Sequence, residues 1–330
     1  MRASGVSGFG EAACRADPYY SHEYVDAALL TLRSFVFREL GSDGWCRELL
    51  RRTGRVRGWP FTRAAVIDAL IDLAWRATGT DLIRNARPDQ PLPAIPAGIS
   101  LGIENDLERV SDAIQSAMAS GYQRVKLKID THVDPRLLWD VRSRFPELSL
   151  GFDANASLDI RRDRRLLEGL ALISPAFVEE PFAVRDFESS AWARTELGLR
   201  VCLDESIETT SDVSTASRFG AVDEINLKIG RVGGAAAAFR IAELCKKSGI
   251  PIWMGGMFET GVGRAAALRL ASVVRPDAPS DLGPSARYYH TDIVDPPIEM
   301  TPNGLTIVPM SPVNVDLTNA DRWERINLGD

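Results

Sequence analysis

The chain has 330 residues, enough for one large domain or two domains sharing a core, and 39 basic against 45 acidic residues give it a net charge of −6. No basic stripe accompanies that balance, which argues against nucleic acid or an anionic membrane as partner. No apolar run reaches the length of a membrane span, and the four cysteines (Cys14, Cys46, Cys202, Cys245) lie far apart without a CxxC pair, so free thiols in the cytoplasm are expected.

The first hundred residues are helical in pattern. "YYSHEYVDAALLTLRSFVFREL" (19–40) and "FTRAAVIDALIDLAWRATG" (61–79) carry apolar residues at helical spacing. In the second, Val66, Leu70, Leu73 and Ala74 share a stripe, Thr62 is placed to cap the start and Gly79 to end it. A Pro-rich connector, "RPDQPLPAIPAG" (87–98), follows, and the domain boundary is placed there, with 1–95 as a first domain and 96–300 as a second.

From residue 97 short apolar runs alternate with amphipathic helices. The expected strands are "AGISLGI" (97–103), "RVKLKI" (124–129), "LSLGFDA" (148–154), "AFVEEPF" (176–182), "RVCLDES" (200–206), "EINLKIG" (224–230) and "PIWMGGM" (251–257), with a weaker one at 280–283. Helices between them stop at signals such as "MASG" and "CKKSG". "DIRRDRR" (159–165), the one dense charge cluster, mixes both signs and reads as a solvated helix start. Strands apolar throughout point to a parallel sheet closed into a barrel. A doubly wound open sheet is the competing arrangement, but no G-x-G-x-x-G follows the first strand, so a dinucleotide site has little support. "NGLTIVPMSPVNVDL" (303–317) reads as two extended segments around a turn that leave the barrel and pair back onto the first domain, so 301–330 is expected to complete it.

In a parallel barrel the C-terminal strand ends face the active site. There this chain carries Lys126 and Lys128 in "KLK", Asp153 and Asn155 in "DAN", Glu179 in "EEP", Asp204 in "LDES", Lys228 in "LKIG" and Glu259 in "MFET". Asp153, Glu179, Asp204 and Lys228 follow one another at 26, 25 and 24 residues, about one βα unit each. Taken singly, each has an ordinary explanation: solvent-facing lysines on an edge strand, an Asp capping a helix, a charged loop. The common register is what those explanations leave out.

Three carboxylates converging on one mouth need a cation among them, and all-oxygen ligands suit Mg²⁺, or Mn²⁺ as a substitute. Lys126 and Lys128 lie on one face of their strand, and Lys228, four strands further round, lies across the barrel. A small-molecule carboxylate bound at the cation would have a lysine on each side of its α-carbon, the geometry for removing an α-proton to give an ene-diolate. A lysine base must fall from about 10.4 to about 8, a cost of about 3 kcal/mol, and nearby cations push that way.

The ordered set "VKLKI", "DAN", "EEP", "LDESI", "NLKIGRVGG" and "WMGGMFETGVGRA" resembles the enolase superfamily, and within it the o-succinylbenzoate synthase / N-succinylamino acid racemase subgroup. The resemblance runs from about "GFGEA" (8–12) to "IVP" (307–309). It implies an α/β fold, a (β/α)₇β modified TIM barrel with an α+β capping domain built from both termini. It further implies Asp153, Glu179 and Asp204 as Mg²⁺ ligands, Lys128 and Lys228 as the acid/base pair, Lys126 as the group that tunes Lys128, and Asn155 and Glu259 as supporting residues. The implied activities are dehydration to o-succinylbenzoate, in menaquinone synthesis, and racemisation of N-acylamino acids; dipeptide epimerase and muconate cycloisomerase chemistry share the ladder. Capped barrels of this kind often assemble, so a homo-oligomer is expected. Three features depart from the pattern. The chain starts almost at "GFGEA", so part of the lid is expected to be missing; Ile229 stands where the subgroup has proline; and a usually Gly-rich stretch reads "MSPVNVD". The missing lid motivates a reading from another class, a barrel that binds an acidic metabolite without turnover.

Overall fold

A computed structural model describes residues 1–318 apart from 4, 41–43, 88–91, 103 and 317. The end of the first expected strand (Ile103), part of the Pro-rich connector and Leu317 of the C-terminal stretch thus lie outside the described residues, as do 319–330. No helix among the described residues is long and apolar enough to cross a membrane.

Seven parallel strands, Gly98–Leu101, Arg124–Lys128, Leu150–Asp153, Val178–Glu179, Val201–Leu203, Glu224–Leu227 and Ile252–Met254, follow one another around a single sheet in chain order, with helices between them. The weak strand expected at 280–283 is shorter than that. Ser280 alone bridges to Ala97, donating its N–H to the Pro96 carbonyl at 2.8 Å and accepting from Gly98 at 2.8 Å, while Asp281 N–H reaches the Met254 carbonyl at 2.9 Å. Those few bonds join the first strand to the seventh and close the ring.

The strands are not apolar throughout, as the sequence reading had them. Val125, Leu127, Leu150, Phe152, Ile225 and Leu227 belong to the core between barrel and helices, whereas Phe177, Cys202 and Trp253 form a separate cluster inside the ring. Side chains alternate in strands, so Arg124, Lys126 and Lys128 point inward between outward Val125 and Leu127, and Glu224 and Asn226 do the same in the sixth strand, with Lys228 just beyond its end. The floor of the barrel is a guanidinium sandwich: Arg124 lies 3.9 Å over the Trp253 ring and 5.4 Å over Phe177, and its Nη2 donates to Asp281 at 2.6 Å.

The N-terminal region is built on helix Pro60–Thr78, beside helix Trp45–Arg55 and helix Val25–Thr31, which runs on as a π-helical turn over Leu32–Val36. Gly79 ends the long helix in the left-handed conformation (φ 72°), as expected. Thr62 does not cap its start: Pro60 occupies the first turn, which moves the N-cap back to Trp59, and Trp59 has no side-chain oxygen to offer. The buried carboxylate of Glu23 takes that role from outside, accepting the N–H groups of Phe61 at 2.8 Å and Thr62 at 2.6 Å and the Thr62 hydroxyl. The "GFG" segment lies directly on this helix: a Cβ on Gly8 would fall 2.5 Å from the Ala69 carbonyl oxygen, and one on Gly10 would overlap the Ala65 carbonyl.

Of the two extended segments near the C-terminus, Leu305–Ile307 pairs antiparallel with Ala94–Pro96, just before the first barrel strand. Asn314–Val315 instead pairs with Val294–Asp295. Arg76 ties this region to the long helix by donating to the Val313 carbonyl at 2.6 Å.

Because both helix and GFG segment are main chain at this contact, neither can retreat cheaply. Gly10→Ala is expected to destabilise the protein by about 1–3 kcal/mol in urea denaturation; a change below about 0.5 kcal/mol would show that the approach is not as close as described.

Candidate active site

The pairing register sets the site. Lys128, Asp153, Glu179 and Cys202 are neighbours across four successive strands. Asp204 lies just beyond the fifth strand and Lys228 just beyond the sixth, where it caps a short helix, Ile229–Val232. The sequence-predicted lysines and carboxylates thus meet at one end of the barrel. They border a cavity of about 360 Å³ whose lining includes Lys126, Lys128, Asp153, Asn155 and Lys228. Glu179 and Asp204 lie beneath it, fully buried.

Lys126 sits among acids: its ammonium is 2.7 Å from Glu179 Oε2, 3.1 Å from Asp153 Oδ2 and 3.6 Å from Asp281 Oδ2. Lys128, with more than a third of its side chain exposed, lies 3.4 Å from Asp153 Oδ2 and donates to Asn155 Oδ1. Lys228 is 2.7 Å from Asp204 Oδ2, whose other oxygen accepts from Arg231 Nε at 3.1 Å.

Burial works against every one of these charges, and the outcome differs from group to group. For Lys126 and Lys228 burial alone would favour the neutral amine, but the facing carboxylates outweigh it and hold both ammonium groups above the ordinary lysine range. Burial would likewise raise Asp204 and Asp153, yet Arg231 and Lys228 bring the first below the usual carboxylate range, and Lys126 and Lys128 the second. Glu179 goes the other way: burial, reinforced by the charge of Asp153, pushes it up to about 8 despite Lys126.

The remaining predicted residues divide. Asn155 is at the site, bridging Lys128 and Glu205 (Nδ2 to Oε1, 3.1 Å) with its backbone at φ 42°, an unfavourable conformation for a residue with a side chain. Glu259 is not among the residues lining the cavity; its carboxylate accepts the Met257 N–H at 2.7 Å and pairs with buried Arg264 at 2.8 Å, which shapes the loop beside the site.

Sequence reasoning missed several neighbours. Asn226 holds Glu179 Oε1 at 2.9 Å, and its inward alternation with Lys228 was the available signal. Asp281 follows the residue that closes the ring, and Arg231 is one helical turn beyond Lys228. Tyr20 comes from the N-terminal region; its hydroxyl meets Lys228 Nζ at 3.1 Å and Arg231, and nothing in the local sequence marks it. The motif glycines leave room for these groups. A Cβ on Gly255 would overlap Asn226 Oδ1, and one on Gly230 would fall 2.5 Å from the Phe61 ring.

Among the described residues no group of three or more His, Cys, Asp or Glu side chains is drawn together tightly enough to hold a metal ion. Ammonium and guanidinium groups instead hold the oxygens of Asp153, Glu179 and Asp204. The chemistry of the donor set nevertheless fits a hard divalent cation: three buried carboxylates at the ends of three consecutive strands, with the charges of Asp153 and Asp204 both bearing on Glu179.

Over residues 109–312 the chain matches the family described as Enolase C-terminal domain-like. It is 33% identical over 322 residues to the o-succinylbenzoate synthase of Listeria innocua, a match covering 96% of this chain and 84% of that protein. It is 32% identical over 327 residues to the N-succinylamino acid racemase of an Amycolatopsis species, covering 96% and 88%. A crystal structure of an enolase superfamily member from Listeria innocua is similar with a TM-score of 0.88 at 32% identity, covering 99% of this chain and 88% of that one.

The raised carboxyls carry a pH signature. Glu179 and Glu180 sit at about 8, and Glu11 and Asp68 at about 7, in each case chiefly through burial. Between about pH 4.5 and 8 the folded chain therefore binds more protons than the unfolded one, so stability falls as pH rises through that window. Thermal melts of metal-free protein are expected to show a lower Tm at about pH 8 than at about pH 5.5; a flat or rising profile would contradict the assignment.

Proposed function

Because the chain belongs to the enolase C-terminal domain-like family, we propose that it removes the proton α to the carboxylate of a small organic acid, acting as an o-succinylbenzoate synthase, an N-succinylamino acid racemase or both. The observation that carries this reading is one cavity with amines on two sides, Lys128 from the second strand and Lys228 from beyond the sixth. Asp153, Glu179 and Asp204 are the residues that would hold a divalent cation, Mg²⁺ or in its place Mn²⁺. Such an ion, when bound, supplies positive charge to the substrate carboxylate and so acidifies its α-hydrogen.

The chain's own groups account for the proton. The α-carbon–hydrogen bond breaks and an Nζ–H bond forms on one lysine, which must be neutral when it acts. Lys128 faces the cavity and, among the described residues, pairs with Asp153 alone, while Lys126 lies beside it on the same strand face. Lys228, held by Asp204 and the Tyr20 hydroxyl, would be the acid on the far side when Lys128 takes the proton, and for the opposite enantiomer the two lysines would exchange roles. If the second lysine returns a proton to the opposite face, the product is the mirror-image acid. If a β-hydroxyl leaves instead, its C–O bond breaks as the first lysine gives it the abstracted proton, so water and the dehydrated acid form, that lysine returns to its neutral state and the second lysine stays a cation. Tyr20 and Phe258 both line the cavity wall, and the Tyr20 ring lies 5.7 Å from Lys228 Nζ.

Product analysis with both substrate types tests the proposal. With Mg²⁺ present, either dehydration to o-succinylbenzoate or loss of optical activity from an N-succinylamino acid is expected; EDTA abolishes it and added Mg²⁺ restores it. Turnover that resists EDTA, or no reaction with either substrate, contradicts the reading. Lys128→Ala and Lys228→Ala are each expected to lower kcat for racemisation by ~10²–10⁴-fold, and circular dichroism of both variants checks that the fold survives.

A further inference from the structure

Residues 47–63 hold six arginines against one acid, Glu48, a local excess of positive charge inside a chain whose net charge is −6. Glu48 is occupied by Arg51 at 2.6 Å and Arg52 at 2.7 Å, and Arg52 also donates to the Arg38 carbonyl. Among the described residues, Arg55 and Arg57 form no ion pair and no side-chain hydrogen bond. Arg55, in the last turn of helix Trp45–Arg55, offsets the negative end of the helix dipole. Arg57 lies beyond that helix and has no such duty. Both border a cavity of about 430 Å³ whose lining also includes Phe35, Arg52, Val56 and Trp59 and shares no residue with the catalytic cavity.

The backbone is irregular on both sides of this cavity. Phe35 belongs to the π-helical turn Leu32–Val36, a rare conformation that recurs at functional sites, and it is 67% exposed. Opposite it in the sequence of the lining, Gly58 and Trp59 are both left-handed, at φ 69° and 53°. Glycine takes that conformation freely, whereas a residue as bulky as tryptophan is strained in it, and strain of this kind gathers where ligands are held. The Trp59 ring is braced edge-on against His22, with centroids 6.0 Å apart. Two aromatic rings and two guanidinium groups with their donors free, around a hollow of ligand size, suit a flat ring that carries phosphate groups. A nucleic-acid strand would call for an open basic face instead.

We propose that this second cavity binds a nucleoside di- or triphosphate, with the base against Phe35 and Trp59 and the phosphates on Arg55 and Arg57. The site stands apart from the carboxylate ladder, so it does not depend on the reaction proposed above. Stacking on the two rings and charge-assisted bonds to the two guanidinium groups are separate contributions, and a ligand with only one of them loses the other.

Calorimetric titration of the protein with ADP, adenosine and pyrophosphate tests this, in EDTA so that no phosphate binds through a cation at Asp153, Glu179 and Asp204. One ADP per chain is expected to bind, with adenosine and pyrophosphate each at least about 10-fold weaker. The double variant Arg55→Gln, Arg57→Gln is expected to raise the Kd for ADP by about 10- to 100-fold, and Trp59→Leu by about 10-fold. Phe35→Ala, at an exposed position, serves if Trp59→Leu fails to fold. Lys128→Ala is expected to leave the Kd for ADP unchanged, which separates this cavity from the catalytic one. Failure of ADP to bind with a Kd below about 1 mM, or a Kd that the arginine pair does not move, overturns the inference. So does pyrophosphate or adenosine that binds as tightly as ADP, or ADP binding that Lys128→Ala abolishes.

Discussion

Alternation along the barrel strands is the constraint on which the structure depends. Each strand must put apolar residues outward to pack against the helices, so every second residue points into the ring whatever its chemistry. Here that inward set is charged. A lone charge in such a place costs several kcal/mol, and only close partners offset it. Each acid at the rim therefore has an amine or a guanidinium within reach, and Lys126 is shared between Asp153 and Glu179. The cluster is balanced but not relaxed: Glu179 stays near the protonated side at neutral pH because burial and Asp153 together outweigh one ammonium group.

Carboxylates that act as caps order the N-terminal region and fasten it to this rim. Glu23 closes the start of the long helix that carries this region. Glu11 does the same for helix Gly261–Val274 of the barrel, accepting from Thr260 N–H at 2.9 Å, the Thr260 hydroxyl at 2.7 Å and Gly263 N–H at 2.8 Å. Between those anchors runs the segment bearing Arg15 and Tyr20, and so the cap reaches Lys228 through a phenol rather than through apolar packing alone. The interval from Gly8 to Glu23 is thus both a structural joint and part of the cavity wall.

How much of this was legible in the sequence follows from the range over which each signal acts. The barrel and its seven strands were readable because each βα unit repeats a local pattern, and the spacing of Asp153, Glu179, Asp204 and Lys228 because chain distance and height in the barrel advance together. In "RVKLK" the shared face of Lys126 and Lys128 is legible from the alternation, whereas the general expectation of strands apolar throughout fails because the same alternation turns Arg124 and Glu224 inward, and a polar barrel interior is an unusual environment. Glu259 was placed near the site by its distance from a strand end, and its side chain turned out to serve Arg264 and a loop. The eighth strand shrank to Ser280 because a ring needs only two or three bonds to close there. Tyr20, Asp281 and the Glu23 cap were out of reach: each acts on a partner 38 or more residues away, and no periodicity connects them.

The central claim is that two amines address opposite faces of one α-carbon. Incubating each enantiomer of N-succinyl-phenylalanine in D₂O with Mg²⁺, and following the α-hydrogen by NMR, tests it most directly. The account predicts that Lys128→Ala stops exchange from one enantiomer and Lys228→Ala from the other, each variant still exchanging the hydrogen its remaining lysine faces. Exchange from both enantiomers in either variant, or wild-type protein that exchanges neither, would contradict it.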